Sequence, residues 1–145
     1  MKIENIKFKA KTFDNAEWVE GYYIKKPSYH QTPKGDVVED GEDHLIFCMT
    51  KDDVQPLCYE VDPSTVCQYT GLADCEGKEL FEHDLIHFVG FTHTAEVIWS
   101  ECNYAFMVVS ENKHSYWLHD VIKVCRIERI GNKFDKKRSS VWKDK

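Results

Sequence analysis

The sequence predicts a mainly β protein with an N-terminal hairpin and one closed β unit, a small barrel or sandwich, in its second half. Three observations carry this. β-branched and aromatic residues come in short runs broken by polar turn clusters. Four of these runs recur between residues 85 and 118 at spacings of about ten residues. The composition, 42% hydrophobic and 13% aromatic with only 7 Gly and 4 Pro in 145 residues, is that of a globular chain. One domain is the expectation at this length, with a core large enough to need no metal or disulfide staple.

The first strand is predicted over Ile6–Lys11, where Ile6, Phe8 and Ala10 alternate with three lysines, so that one face is buried and the other wet. Thr12-Phe13-Asp14-Asn15-Ala16 turns the chain into a second strand, Glu17–Lys26, with Trp18, Tyr22 and Ile24 on one side. Residues 27–43 lack any apolar period and are expected to form a mobile loop. Strands follow at His44–Thr50, Leu57–Val61 and Thr65–Tyr69, the last two separated by Asp62-Pro63-Ser64. Residues 70–79 contain Gly71 and Gly77, which suit positive backbone angles, and predict a structured loop. Leu85–Val89, Ala95–Trp99, Tyr104–Val109 and His114–Leu118 are the four evenly spaced strands. A helical turn is expected at Leu118–Ile122, then a final strand, Val124–Ile130, stopped by Gly131.

The net charge of −6 is unevenly spread. Residues 1–66 hold 8 Lys against 13 acids, residues 67–122 hold 2 Lys against 9, and residues 123–145 hold 9 basic residues against 3 acids. An acidic body thus ends in a basic tail, 132–145, expected to be solvated and flexible. Its cations Lys133, Lys136, Lys137 and Arg138 are candidate nucleic-acid contacts, because basic residues interleaved with Phe134 and Trp142 can neutralise and stack single strands. The six cysteines are scattered, and no apolar run follows Lys2. Reduced thiols packed as small apolar groups, no signal peptide, no membrane span and a cytoplasmic location are expected.

No nucleotide-binding glycine loop, nucleophile elbow or C-x-x-C pair occurs. His83 and His87 are spaced i, i+4, but on a strand they would lie roughly 13 Å apart. Cys67, Cys75 and His83 fit no structural zinc spacing. No metal and no cofactor are expected. The acids Glu79, Glu82 and Asp84 are expected to form turns and keep an edge soluble rather than to act as an acid/base pair.

The segment Gln68-Tyr69-Thr70-Gly71-Leu72-Ala73-Asp74-Cys75-Glu76-Gly77-Lys78-Glu79-Leu80-Phe81-Glu82-His83-Asp84-Leu85-Ile86 resembles the hallmark of the YopX family of phage and prophage proteins. Trp18-Val19-Glu20-Gly21-Tyr22-Tyr23, Tyr59–Val66, Glu96–Trp99 and Ile127–Asn132 agree in order. One departure is His83, where the family commonly has Gly. The resemblance implies a phage- or prophage-encoded protein, mainly β, with an N-terminal hairpin or meander packed on a small SH3-like β-barrel. It transfers no catalytic residue. A single domain is expected over 1–131, with the barrel core at about 67–130. The hallmark residues Gln68, Tyr69, Thr70, Gly71, Leu72, Asp74, Gly77, Glu79, Phe81 and Asp84 are expected to be structural. The glycines shape a rigid loop, the aspartates bond backbone amides, and Tyr69, Leu72 and Phe81 pack the loop on the barrel.

Two functions are weighed. The first is a non-enzymatic accessory module that associates with itself or with a phage or host protein, in keeping with its 4 Trp and 7 Tyr. The alternative is a nucleic-acid binder using barrel and tail, against which stands the acidic body.

Overall fold

The computed structural model describes residues 2–48 and 57–135. Strand accounts for 58% of these and helix for 10%. The chain divides into two compact units, Met1–Tyr69 and Thr70–Lys145.

In the first unit an antiparallel sheet has the order β4-β3-β2-β1-β5. Its strands are β1 (Phe8–Lys11), β2 (Trp18–Gln31), β3 (Val37–Cys48), β4 (Leu57–Glu60) and the first residues of β5 (Cys67–Ala73). β1 pairs with β2 from Phe8↔Gly21 to Lys11↔Trp18, and with β5 at Phe8↔Gln68 and Lys9↔Cys67. Ala10, Ile46 and Val61 are fully buried, and Phe8, Val19, Tyr23 and Tyr59 pack against them. Asp62 caps a short helical turn at Pro63–Thr65 by accepting from the Ser64 N–H, so the predicted punctuation there is a local cap.

Two expectations are corrected in this unit. The lysine face of β1 is not wet. Lys9 and Lys11 are 3% and 8% exposed, and their ammonium groups lie 4.6 and 5.4 Å from the centre of the Trp18 ring. The aromatic face replaces part of the lost hydration, which an alternation pattern does not register. Residues 27–43 are not a loop either. β2 runs on to Gln31 and β3 starts at Val37, joined by a turn in which the Thr32 N–H donates to the Asp36 carbonyl and Gly35 takes φ +95°. A bulge between Pro27 and Tyr29 places two β3 residues against Ser28, with Gly41 at φ +131°. This outer ribbon has solvent on both faces, so it needs no apolar period. Two cross-strand ion pairs, Lys25 to Glu42 at 3.6 Å and Lys26 to Asp43 at 3.5 Å, and a hydrogen bond between His30 Nδ1 and Asp40 Oδ2 at 2.8 Å span it.

The second unit takes up the rest of β5 and adds β6 (Glu79–Phe81), β7 (Asp84–Phe88), β8 (Thr94–Ser100), β9 (Ala105–Ser110), β10 (Ser115–Trp117), α1 (Leu118–Val124) and β11 (Ile127–Asn132). β7 to β10 form a meander, and β11 returns to pair with β7, giving the order β10-β9-β8-β7-β11. The core is Leu80, Ile86, Ala95, Val97, Val108, Leu118, Val121 and Ile127. On β8 the core members Ala95 and Val97 stand at alternate positions, as a one-face-buried strand requires. α1 runs two residues past the expected helical turn and carries Leu118 and Val121 into this core.

The expected closed barrel is an open sheet, with β10 and β11 at its edges among the described residues. β10 has only three residues, and the chain leaves it directly into α1, so too little strand remains to close the sheet. The structured loop expected at 70–79 narrows to a tight turn at 74–78, because β5 extends to Ala73 and β6 starts at Glu79. Gly131 does not stop the last strand. A bulge between Arg129 and Gly131 turns Ile130 outward, and pairing continues to Asn132↔Asp84.

Candidate functional site

The hallmark segment is built around two aspartates. Asp74 opens the β5–β6 turn: its Oδ1 accepts from the N–H groups of Glu76 and Lys78 at 2.9 and 2.8 Å, and Oδ2 accepts from the Arg129 N–H at 2.8 Å. Burial pushes the Asp74 carboxyl pKa up, but these three amides and the Lys78 charge outweigh it and hold the pKa below its ordinary value of 3.8. The Cys75 N–H donates to the Ile127 carbonyl at 3.0 Å, so this turn also caps the outer edge of β11. Gly77 is at φ +87° and Gly71 at φ +85°, conformations that exclude most side chains.

Asp84 is fully buried. Its Oδ2 accepts from the Phe81 N–H at 2.7 Å, Oδ1 accepts from Asn132 Nδ2 at 2.8 Å, and Arg129 Nε lies 3.5 Å away. His83 between them stands at φ +70°, so the turn keeps a glycine-like backbone with a side chain on it. Its Nδ1 meets Glu96 Oε2 at 2.8 Å, and its ring meets Phe134 edge-on at 5.2 Å.

The other hallmark residues are placed as follows. Thr70 Oγ1 donates to the Leu80 carbonyl, Leu72 packs on the core, Phe81 is buried and Glu79 begins β6. Gln68 and Tyr69 belong to the first unit, where Gln68 pairs with Phe8 and the Tyr69 N–H donates to the Lys7 carbonyl. Of the tail cations, Lys133 donates its N–H to the His83 carbonyl. Lys136, Lys137 and Arg138 lie outside the described residues. Among the described residues no group of three or more His, Cys, Asp or Glu is placed to hold a metal. No disulfide joins any of the cysteines, and Cys58, Cys75, Cys102 and Cys125 are exposed rather than packed as small apolar groups.

A concave feature of the second unit lies elsewhere. A cavity of about 420 Å³ opens at the mouth of the sheet, walled by Phe88 and Phe91 on one side, Tyr116 on another, and Val121, Val124 and Cys125 from α1 and its C-terminus. His93 and the β9–β10 turn, with Ser110, Asn112 and His114, complete the rim. The sequence does not reveal it, because residues 90–94 and 110–113 fall between expected strands, and Val89 and His114 inside them. The available signal was Phe91, a large apolar residue in a Gly-containing turn, which is 63% exposed.

Fold and turn together define a class: antiparallel β proteins in which an aspartate-centred β5–β6 turn caps the returning strand of an open meander. The chain belongs to the YopX family, whose model (YopX protein) matches residues 7–138. No curated protein matches the sequence.

Proposed function

We propose that this YopX protein is a phage- or prophage-encoded accessory protein of the bacterial cytoplasm, a non-enzymatic module that associates with itself. The observation that carries the reading is the asymmetry of the second unit's sheet edges. The β5–β6 turn covers β11, whereas the outer side of β10 bears no strand among the described residues and presents Tyr116 and Trp117, 48% and 39% exposed. The Ser110–His114 backbone hydrogen bond fixes the alternation, so the amides of Ser115 and Trp117 point outward and are available for strand addition. Support against catalysis comes from Asp74 and Asp84, whose oxygens are engaged by backbone amides and Asn132. Among the described residues no helix is long and apolar enough to cross a membrane.

Light scattering at micromolar concentration tests this: a particle heavier than the 17.0 kDa chain supports self-association, and a 17.0 kDa particle overturns it. The concentration of cations in 133–145 favours a second reading, nucleic-acid binding. That reading requires a steep salt dependence, about −0.9 in log–log slope per phosphate neutralised on duplex DNA, and loss of binding when 133–145 is deleted. Binding that is weak and non-specific at physiological salt is the expected result.

A further inference from the structure

The mouth cavity of the second unit combines three properties that together select a ligand. Its size, about 420 Å³, lies in the range of small-molecule sites. Its walls are aromatic and aliphatic. Its lining contains no carboxylate, although acids outnumber bases in this unit, and instead carries the imidazoles of His93 and His114 and the amide of Asn112. Among the described residues neither imidazole nor the Asn112 amide nitrogen is engaged in a hydrogen bond, so these donors are available to a guest.

The walls are also held in place before any guest arrives. The Phe88 N–H donates to the His93 carbonyl and the Phe91 N–H to the Phe88 carbonyl, while the Val89 N–H reaches the Arg126 carbonyl at 2.9 Å, tying this turn to the end of α1. Phe91 and His93 stack at 6.4 Å with 15° between their planes. On the opposite side Ser110 Oγ engages Asn112 Oδ1, the His114 carbonyl and the His114 N–H, fixing the β9–β10 turn. A guest therefore meets preformed walls, which lowers the ordering cost of binding.

We propose that this cavity binds a small aromatic acid, a flat body of one to three rings lying against Phe91 and Tyr116 with its anionic group at His93 and His114. The site lies within one unit of one chain and is complete without a second copy, although its wall residue Tyr116 stands on the β10 edge.

Anilinonaphthalene sulfonate and its uncharged analogue phenylnaphthylamine test the proposal by fluorescence titration of the full chain. The sulfonate is expected to saturate at one per chain and to bind at least about tenfold more tightly than the neutral probe. The double variant His93→Ala/His114→Ala should erase that preference while leaving the neutral probe's affinity unchanged. Val124→Trp should abolish binding of both probes by filling the mouth from a position already 80% exposed. Phe91→Ala, equally remote from the core, should weaken both, and near-ultraviolet circular dichroism identifies any variant that has lost its packing. Independently, the sulfonate should slow alkylation of Cys125 by iodoacetamide and leave exposed Cys102 unaffected. Equal affinity for the two probes, a preference that survives the histidine variants, binding that survives Val124→Trp in a folded protein, or unprotected Cys125 each overturns the proposal.

Discussion

At the residue scale the structure turns on positions where one side chain satisfies several backbone groups or where only one backbone shape fits. Asp74 is the first. Asp74→Asn keeps two acceptor sites but turns an N–H towards a partner that previously donated, at a cost of about 1–3 kcal/mol. Because the folded pKa of Asp74 is depressed, its contribution is complete above the unfolded value and is lost as pH falls through the folded one. Urea unfolding of both proteins should therefore show a gap at pH 7 that narrows below about pH 4. His83 is the second. His83→Gly relieves a left-handed residue, about 1–2 kcal/mol, and forfeits the Glu96 contact, about 1 kcal/mol, so its midpoint should move little. His83→Val keeps the strain and loses the contact, and should be clearly destabilised. Gly21 is the third. A Cβ there would stand 2.0 Å from the Phe47 carbonyl oxygen, so Gly21→Ala must push β2 from β3 and is expected to cost about 2 kcal/mol or more in the same assay.

At the element scale the β2–β3 hairpin behaves as two bodies. Its inner part, around Tyr23 and Ile46, belongs to the core of the first unit, whereas Lys25–Gln31 and Val37–His44 form a two-stranded ribbon held by cross-strand charges. Isolated two-stranded ribbons are marginally stable in water, so hydrogen exchange at residues 29–40 should be far faster than at Tyr23 and Ile46, and 1 M salt should accelerate it further by screening the ion pairs. This ribbon also shows where sequence reasoning stops. The meander of the second unit was legible because Ile86 on β7 and Ala95 and Val97 on β8 alternate with wetter residues on strands with one buried face. The ribbon was not, since a strand wet on both faces has no apolar period and its only signs are Thr-Pro-Lys-Gly-Asp at the turn and opposed charges on its flanks. Asp74 and Asp84 were legible as turn acids bonding backbone amides. Their long-range partners, Arg129 and Asn132, lie 55 and 48 residues away and carry no local signature. The cavity was hidden for a related reason, because its walls come from three segments far apart in sequence, around Phe88–His93, Ser110–Tyr116 and Val121–Cys125.

At the scale of the whole molecule, strand content and charge distribution set what bulk measurements report. Far-ultraviolet circular dichroism should give more than about 35% strand and less than about 20% helix, well above ordinary strand content, and a helix-dominated spectrum would contradict the architecture. The acidic body and basic tail are a division of sign along the chain.

The two-sided wetness of the ribbon has an evolutionary consequence. A segment that buries nothing can lengthen or shorten by matched pairs of residues, one per strand, without any core position noticing. An unmatched single insertion would swap the faces of everything beyond it, unless absorbed as the strand already absorbs one at Asp40-Gly41 opposite Ser28. The length of this end of the sheet is thus free to vary in matched pairs of residues, while the stretch from Leu45 to Phe47, paired on both sides, is fixed in length.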